Sequence, residues 1–344
     1  MNEKETPLSQ LGLYGLIERI GSQYKNQNSS TVIGIGDDAA LFTNNEAVLA
    51  GSSLLLEGIH FDLTYSPLQH LGYKAVVVAI SDILAMNGKP GQVIASLGLS
   101  NKMSLERVEL LMSGVVSACE NYGVELVGFR PAASLTGLTI SIAASGSVKQ
   151  DDAVLRSTAR PSDVLCVTGD LGGALMGLHL LEREKRVLNA SGDQKPEFGN
   201  NDYVLKRQLK PEARADLNEK LKTLGIKPTA MTCIKDGLAT SLLLMCKASA
   251  TGCRIYENKI PLNQSTLKAA SELNFNPLVA ALNGGEDFEM LLSVNLNDFE
   301  QIKERLPDDI HVIGYITEAE KACRLITGAD QEIDIKAQGW GTMS

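Results

Sequence analysis

Residues 34–42 read GIGDDAALF, two adjacent carboxylates closing a β-branched apolar run. Neighbouring carboxylates repel unless a cation or hydrogen bonds compensate them. A hard divalent cation such as Mg²⁺ suits Asp37 and Asp38, because it takes carboxylates together with phosphate oxygens and water. An exposed acidic turn explains the same pair. Asp82 stands in AISDILAMNG, whose neighbours are apolar. A buried acid there is costly unless it is paired or metal-bound, so Asp82 is either a companion ligand or a solvent-facing side chain. LNGGEDFEMLLSV (282–294) sets two glycines before Glu286. Glycines let a ligand or a second backbone come close, with Glu286 facing the gap; the plain alternative is a glycine turn with solvated acids. GDLGGALMG (169–177) follows an apolar run and opens a helical one, the arrangement that aims backbone N–H groups at an anion. It is neither a Walker A loop nor a G-x-G-x-x-G, and tight strand-to-helix packing accounts for it equally. His60, in LEGIHFDL, reads as structural when taken alone. Trp340, the single tryptophan, is a docking anchor or a stacking surface for a planar ligand. The four histidines are well separated, and neither a Ser-His-Asp grouping nor a zinc ligand set is offered.

These residues need elements to hold them. TVIGIG (31–36) reads as a strand and AVLAGSSLLL (47–56) as its partner. LGYKAVVVAISDILAMNG (71–88) carries helical apolar spacing and stops at Asn-Gly. GQVIASLGL (91–99) returns as a strand. MSLERVELLMSGVVSACENYG (103–123) reads as a helix with Ser104 as N-cap, though Arg107 occupies the fourth position of a capping box. VELV (124–127) and LTISIAASGSV (138–148) follow as strands, which makes VGFRPAAS (127–134) an awkward corner of Phe129, Arg130 and Pro131. This alternation predicts an N-terminal α/β domain over residues 1–150. ARPSD (159–163) marks a boundary, and a second α/β domain over 151–344 restarts with VLCVTG (164–169). KPEFGNND (195–202) reads as a mobile polar loop. A helix follows Asp236, and later strands are expected at EMLLSV (289–294) and HVIGYI (311–316).

At 344 residues the chain has room for two such domains. Its net charge of −9 argues against an intrinsic duplex-binding surface, so no nucleic-acid partner is expected. Six scattered cysteines without a C-x-x-C pair read as small buried residues of a reducing compartment. The polar N-terminus is unlike a signal peptide, and no apolar run reaches bilayer length. The expectation is a soluble cytoplasmic protein with no membrane partner.

In succession, GIGDDAAL, EGIHFDLTYSPLQHLGYKA, SDILAMNGKP, LRSTARPSD, KDGLA and NGGEDFE span roughly residues 10–341. That succession resembles thiamine-monophosphate kinase, of the superfamily that includes aminoimidazole ribonucleotide synthetase. The resemblance implies a two-domain α/β fold, a homodimer built through the N-terminal domain, and phosphoryl transfer from ATP to thiamine monophosphate. It implies that Asp38, Asp82 and Asp236, with Asp37 beside them, bind Mg²⁺, and that Arg156 contacts the nucleotide. His60, Glu286 and Trp340 match positions that hold thiamine phosphate. In-line transfer between anions needs positioning and metal charge more than a nucleophilic side chain, so no residue is assigned as catalytic.

The chain departs from the family pattern on the metal and nucleotide side. Thr-Asp is replaced by Ser52-Ser53, an Asn by Ala79, Gly-Gly-Asp-Thr by Gly128-Phe129-Arg130-Pro131, and Asp-x-Ser-Asp-Gly by Cys233-Ile234-Lys235-Asp236-Gly237. Carboxylates are thus absent at Ser53, Arg130 and Cys233, while Arg130 and Lys235 add cations. At about 4 Å and an effective dielectric of about 20, each unit like-charge contact costs roughly 4 kcal/mol. The expected outcome is a kinase homologue whose activity is lost or strongly impaired and which keeps thiamine-phosphate binding. The alternative is a working kinase in which Arg130 and Lys235 partly replace metal charge.

Overall fold

The structure is a computed structural model that describes residues 19–24, 28–29, 31–33, 41–42, 47–191 and 197–337. Asp37, Asp38 and Trp340 lie outside the described residues. The chain divides into two compact units, residues 1–84 with 88–151, and residues 85–87 with 152–344.

In the first unit, β1 (Thr31–Ile33) pairs with β2 (Leu41–Phe42), and β3 (Ala47–Leu56) pairs elsewhere. The expectation that residues 31–36 and 47–56 are partners is therefore wrong. The partner of β3 is β6 (Thr139–Val148), matched residue for residue from Ala47↔Val148 to Leu56↔Thr139. With β4 (Lys89–Leu99) and β5 (Glu125–Ala133) they form a four-stranded sheet in the order β3-β6-β4-β5, in which only β4 and β5 run parallel. The helices α1 (Leu68–Ala85) and α2 (Leu105–Tyr122) touch backbone to backbone. A Cβ on Gly72 would lie 2.0 Å from the Leu111 carbonyl oxygen, and one on Gly114 would lie 1.8 Å from that of Gln69. Ser104 caps α2 by accepting the Arg107 N–H. Strict alternation along β6 buries Ile140, Ile142 and Ala144 on one sheet face. Ile83 of α1 meets Gly146 on that same face, so the helix side is the core side.

The stretch VGFRPAAS does not turn. It continues β5, and the chain reverses only at residues 134–138, where Gly137 has φ +122°. β4 lies between β5 and β6, so the two are not a hairpin. Pro131 is tolerated because β5 is an edge strand with a neighbour on one side only. α1 also corrects the reading that no apolar run is long enough for a bilayer. Its 18 residues reach a mean hydropathy of 1.2, but 78% of them are buried, which makes it a core helix.

The second unit is built on a seven-stranded sheet in the order β13-β12-β9-β11-β7-β10-β8. Its strands are β7 (Val164–Thr168), β8 (Ala230–Ile234), β9 (Thr251–Tyr256), β10 (Glu289–Val294), β11 (Ile310–Glu318), β12 (Cys323–Ile326) and β13 (Glu332–Asp334). All neighbours are antiparallel except β9 and β12. The helix α6 (Leu238–Ser249) closes an apolar core with Leu165, Val167, Leu242, Met245, Ile255 and Leu291. α3 (Gly173–Ser191), α4 (Asp202–Leu209), α7 (Gln264–Glu272) and α8 (Pro277–Asn283) gather around a smaller core of Met176, Leu180, Val204 and Ala269. α5 (Ala215–Thr223) and α9 (Leu296–Arg305) complete the unit. Residues 197–201, expected to be a mobile loop, are tied down: Glu197 N–H donates to Glu184, and Asn201 is buried and donates to the Phe198 carbonyl and to Glu272.

Candidate active site

In the second unit two loops meet. One, Lys235-Asp236-Gly237, leaves β8; the other, residues 284–288, enters β10. The strands are antiparallel neighbours, with Cys233 opposite Met290 and Ile234 opposite Glu289. The contact extends into the loops, where Glu286 N–H donates to the Lys235 carbonyl at 2.6 Å and Phe288 N–H donates to that of Ile234 at 3.1 Å. Only glycine fits at the crossing. A Cβ on Gly285 would sit 2.5 Å from the Lys235 carbonyl oxygen and 3.2 Å from the Asp236 Cα, and its φ of +73° already disfavours other residues. Gly237, at φ +92°, faces the Leu282 carbonyl in the same way. Glu286 and Phe288 also take positive φ, +58° and +53°, a strain the surrounding hydrogen bonds hold in place. The result brings Asp236 and Glu286 onto adjoining backbone.

The two acids of GGED diverge. The Glu286 carboxylate accepts from Gln208 Nε2 at 3.0 Å. Asp287 is wholly buried, accepts the N–H groups of Gly172 and Ala174, and lies 3.5 Å from the Arg207 guanidinium. Burial pushes its carboxyl up to about 6 despite the opposing pull of Arg207 and the two N–H groups. The glycine loop before α3 thus spends two of its N–H groups on an internal carboxylate. Arg207 also bonds Glu289 at 2.9 Å and the Asp170 carbonyl, and Glu289 further accepts from Thr168 and Arg214. This buried ion network supports the Glu286 loop from behind. No motif announced it: its arginines come from residues 206–214, which lack a pattern that chemistry alone would single out.

Arg156 is exposed, and its carbonyl accepts from Ser249 at the C-terminal end of α6. Asp236 precedes the other end, so the two backbones stand roughly a 12-residue helix apart, about 18 Å. Within the unit, Arg156 does not join the pair Asp236 and Glu286.

In the first unit Asp82 lies on α1 beside β3, its Cβ 3.9 Å from where a Gly51 Cβ would be. Ser53 is two residues along the same strand and so points to the same face, its hydroxyl 3.5 Å from the Ile142 carbonyl it donates to. His60 closes the turn after β3. Its Nδ1 accepts the Leu56 N–H at 3.1 Å, which places the proton of the neutral ring on Nε2 and makes that atom a donor. Register then separates the altered residues. Ser53, Ile142, Ala95 and Phe129 form one row across the sheet, and Leu54, Ser141, Ser96 and Arg130 the next. Partners in a row share a face. Phe129 is 5% exposed and faces the helices; Arg130 is exposed on the opposite side from Ser53 and Asp82. Three strand spacings also separate it from β3, roughly 14 Å. The expectation that Arg130 fills the space beside the metal ligands of this unit is corrected by this alternation.

Mg²⁺ demands near-octahedral oxygen ligation. At the altered positions Cys233 is a buried thiol facing Met290, Ser53 offers a hydroxyl, and Lys235 flanks the exposed Asp236. Within each unit taken alone, the described residues bring no group of three or more carboxylates together at these positions.

Two α/β domains of this kind define a member of the AIR synthase-related class, and residues 36–148 match the family described as AIR synthase related protein, N-terminal domain. The chain is 32% identical to the thiamine-monophosphate kinase of Bacillus subtilis (strain 168) over 309 residues, 88% of this chain and 91% of that protein. It is also 32% identical to that of Aquifex aeolicus (strain VF5), covering 91% and 94% of the two chains. Among solved structures it matches AaThiL complexed with AMPPCP and TMP, with a TM-score of 0.72 and 28% identity over 96% of this chain and 97% of that one. The chain belongs to the thiamine-monophosphate kinase family.

Proposed function

We propose that this chain binds thiamine monophosphate and has lost, or strongly reduced, the transfer of a phosphoryl group to it from ATP. The observation that carries the reading is the fate of the three altered carboxylate positions: a buried thiol at Cys233, a hydroxyl at Ser53, and a guanidinium at Arg130 on the far sheet face. Removing one transition-state charge contact commonly costs on the order of 10³ in rate, so the two losses at Ser53 and Cys233 alone leave little turnover. Ligand binding is supported separately, by the retained His60 donor geometry and by the Glu286 loop with its Gln208 support. AMPPCP and TMP in the AaThiL structure support a nucleotide and a thiamine phosphate as the family's ligand pair. By the resemblance, Asp236 and Asp82 are proposed as metal contacts, Arg156 as a nucleotide contact, and His60, Glu286 and Trp340 as thiamine-phosphate contacts. The exposed apolar side chains of Val48, Leu54 and Ile94 on the outer sheet face support the homodimer we propose. One observation favours residual activity: Lys235 adjoins both Asp236 and Glu286 and brings a cation to the loop pair.

Purified protein given Mg-ATP and thiamine monophosphate is expected to form no appreciable thiamine diphosphate, while calorimetry in EDTA shows thiamine monophosphate binding. Turnover in the ordinary kinase range, about 1–100 s⁻¹, would overturn the loss of activity. Absence of binding heat at millimolar ligand would overturn the binding role. Restoring Asp at 53, 130 and 233 together with Ser at 235 is expected to recover less activity than charge alone suggests, because Arg130→Asp leaves the new carboxylate on the outer face of the sheet.

A further inference from the structure

Three cysteines meet in the second unit, well away from the loop pair. Cys246 stands two turns into α6, about 12 Å along the helix from its start. Cys253 lies in β9 and Cys323 opens β12. The two strands are parallel neighbours with Cys253 and Cys323 directly paired, so both side chains leave the sheet on one face. Cys246 comes down on them from the helix that covers that face. All three sulfur atoms lie within 4.8 Å of one another. Cys246 and Cys253 are almost wholly buried, and Cys323 is partly buried at the margin of the same core. The buried Thr251 Oγ1 lies against the Cys246 sulfur and makes no well-formed hydrogen bond.

We propose that Cys246, Cys253 and Cys323 form a three-sulfur site for a soft metal ion, with Cu(I) as the ion it fits. A metal–thiolate bond of about 2.3 Å places the corners of a trigonal sulfur set roughly 4.0 Å apart, inside the present spacing. Thiolate sulfur selects Cu(I), zinc and iron–sulfur clusters, but structural zinc and the common clusters take four protein ligands. Among the described residues no fourth Cys, His, Asp or Glu joins this group. The surroundings are apolar, with Leu242, Met245, Ile255 and Ile316 in the same core. Cu⁺ exchanges into the site as three thiol protons leave to solvent, and the charge of the resulting trithiolate complex is carried by the metal and three polarizable sulfurs. No electron is transferred, and ligand exchange from a Cu(I) chelate balances the reaction.

The test is anaerobic titration of the reduced full-length protein with Cu(I) held by a chelating competitor, read by native mass spectrometry and X-ray absorption. One Cu(I) per chain is expected, ligated by three sulfurs at about 2.3 Å. Cys323→Ser, the least buried of the three, is expected to lower affinity at least tenfold while the far-ultraviolet circular dichroism stays unchanged. Should the other variants fold poorly, alkylation mapping of the wild type gives a second reading. Cu(I) is expected to protect Cys246, Cys253 and Cys323 and to leave Cys119, Cys166 and Cys233 at their copper-free rates. Preference for Zn²⁺ over Cu(I), protection of a different set of thiols, or copper binding indifferent to Cys323→Ser would each overturn the proposal.

Discussion

Glu286 and Arg130 both belong to short stretches compared with the family pattern, yet they sit in opposite kinds of structure. Glu286 occupies a strained loop whose backbone is pinned to Lys235, whose glycines admit no side chain, and whose carboxylate is held by Gln208. Arg130 stands on an edge strand with a backbone neighbour on one side only. In the loop, sterics dictate the residue. In the strand, alternation dictates only which face a side chain joins, so Gly-Gly-Asp-Thr can become Gly-Phe-Arg-Pro without unfolding the sheet. The buried Phe129 and Pro131 then serve the core, and the exposed Arg130 serves the surface. The departures at residues 129–131 therefore fell where the fold could absorb them.

Removing the network behind the Glu286 loop tests this contrast most severely. Arg207→Met leaves Asp287 as a buried carboxylate without its cation, and Glu289 with Arg214 as its remaining one, and is expected to cost about 3–5 kcal/mol, read from the urea midpoint. Gly285→Ala drives a Cβ into the Lys235 carbonyl at a positive φ; a loss of about 1–3 kcal/mol is expected, with weaker thiamine monophosphate binding in calorimetry as Glu286 is displaced. The loop also carries a pH signature. The Asp287 carboxyl titrates near 6 when folded and near 3.8 when unfolded, so between those values the folded state binds more protons. This group's contribution is fully present below about pH 4 and is lost as pH rises through 6. Asp287→Asn is expected to flatten that part of the stability profile, measured by denaturation at successive pH values. A wild-type profile that rises from pH 4 to 6 and loses that rise in Asp287→Asn would reverse the assignment. Arg130→Asp completes the comparison with the smallest effect: stability is expected to stay within about 0.5 kcal/mol by thermal melt, as for other exposed positions. A larger loss would mean that the edge strand is constrained like the loop.

Much of the frame was legible from pattern. Apolar periodicity located α1, α2, β4 and β10, and Asn87, at φ +59°, ends α1 at the expected Asn-Gly. The pairing of β3 was not legible, because two strands separated by some ninety residues leave no local mark of partnership. VGFRPAAS was misread as a corner because Pro131 normally ends a strand, and only a sheet edge excuses it. The short helices α4 and α5 escaped notice because their residues are polar on most sides and bury only Val204, Gln208, Leu217 and Leu221.

The order of the motifs, from GIGDDAAL through EGIHFDLTY to NGGEDFE, was enough to identify the family, because residue type and spacing are carried by the chain itself. So were the missing carboxylates at Ser53, Arg130 and Cys233. Direction was another matter. That Glu286 faces Gln208 while Asp287 turns inward, that Arg130 looks away from Ser53, and that Cys246, Cys253 and Cys323 converge were settled only when strands paired and helices packed. A side chain's chemistry is local, but its neighbours come from distant parts of the chain, and register and close packing choose them.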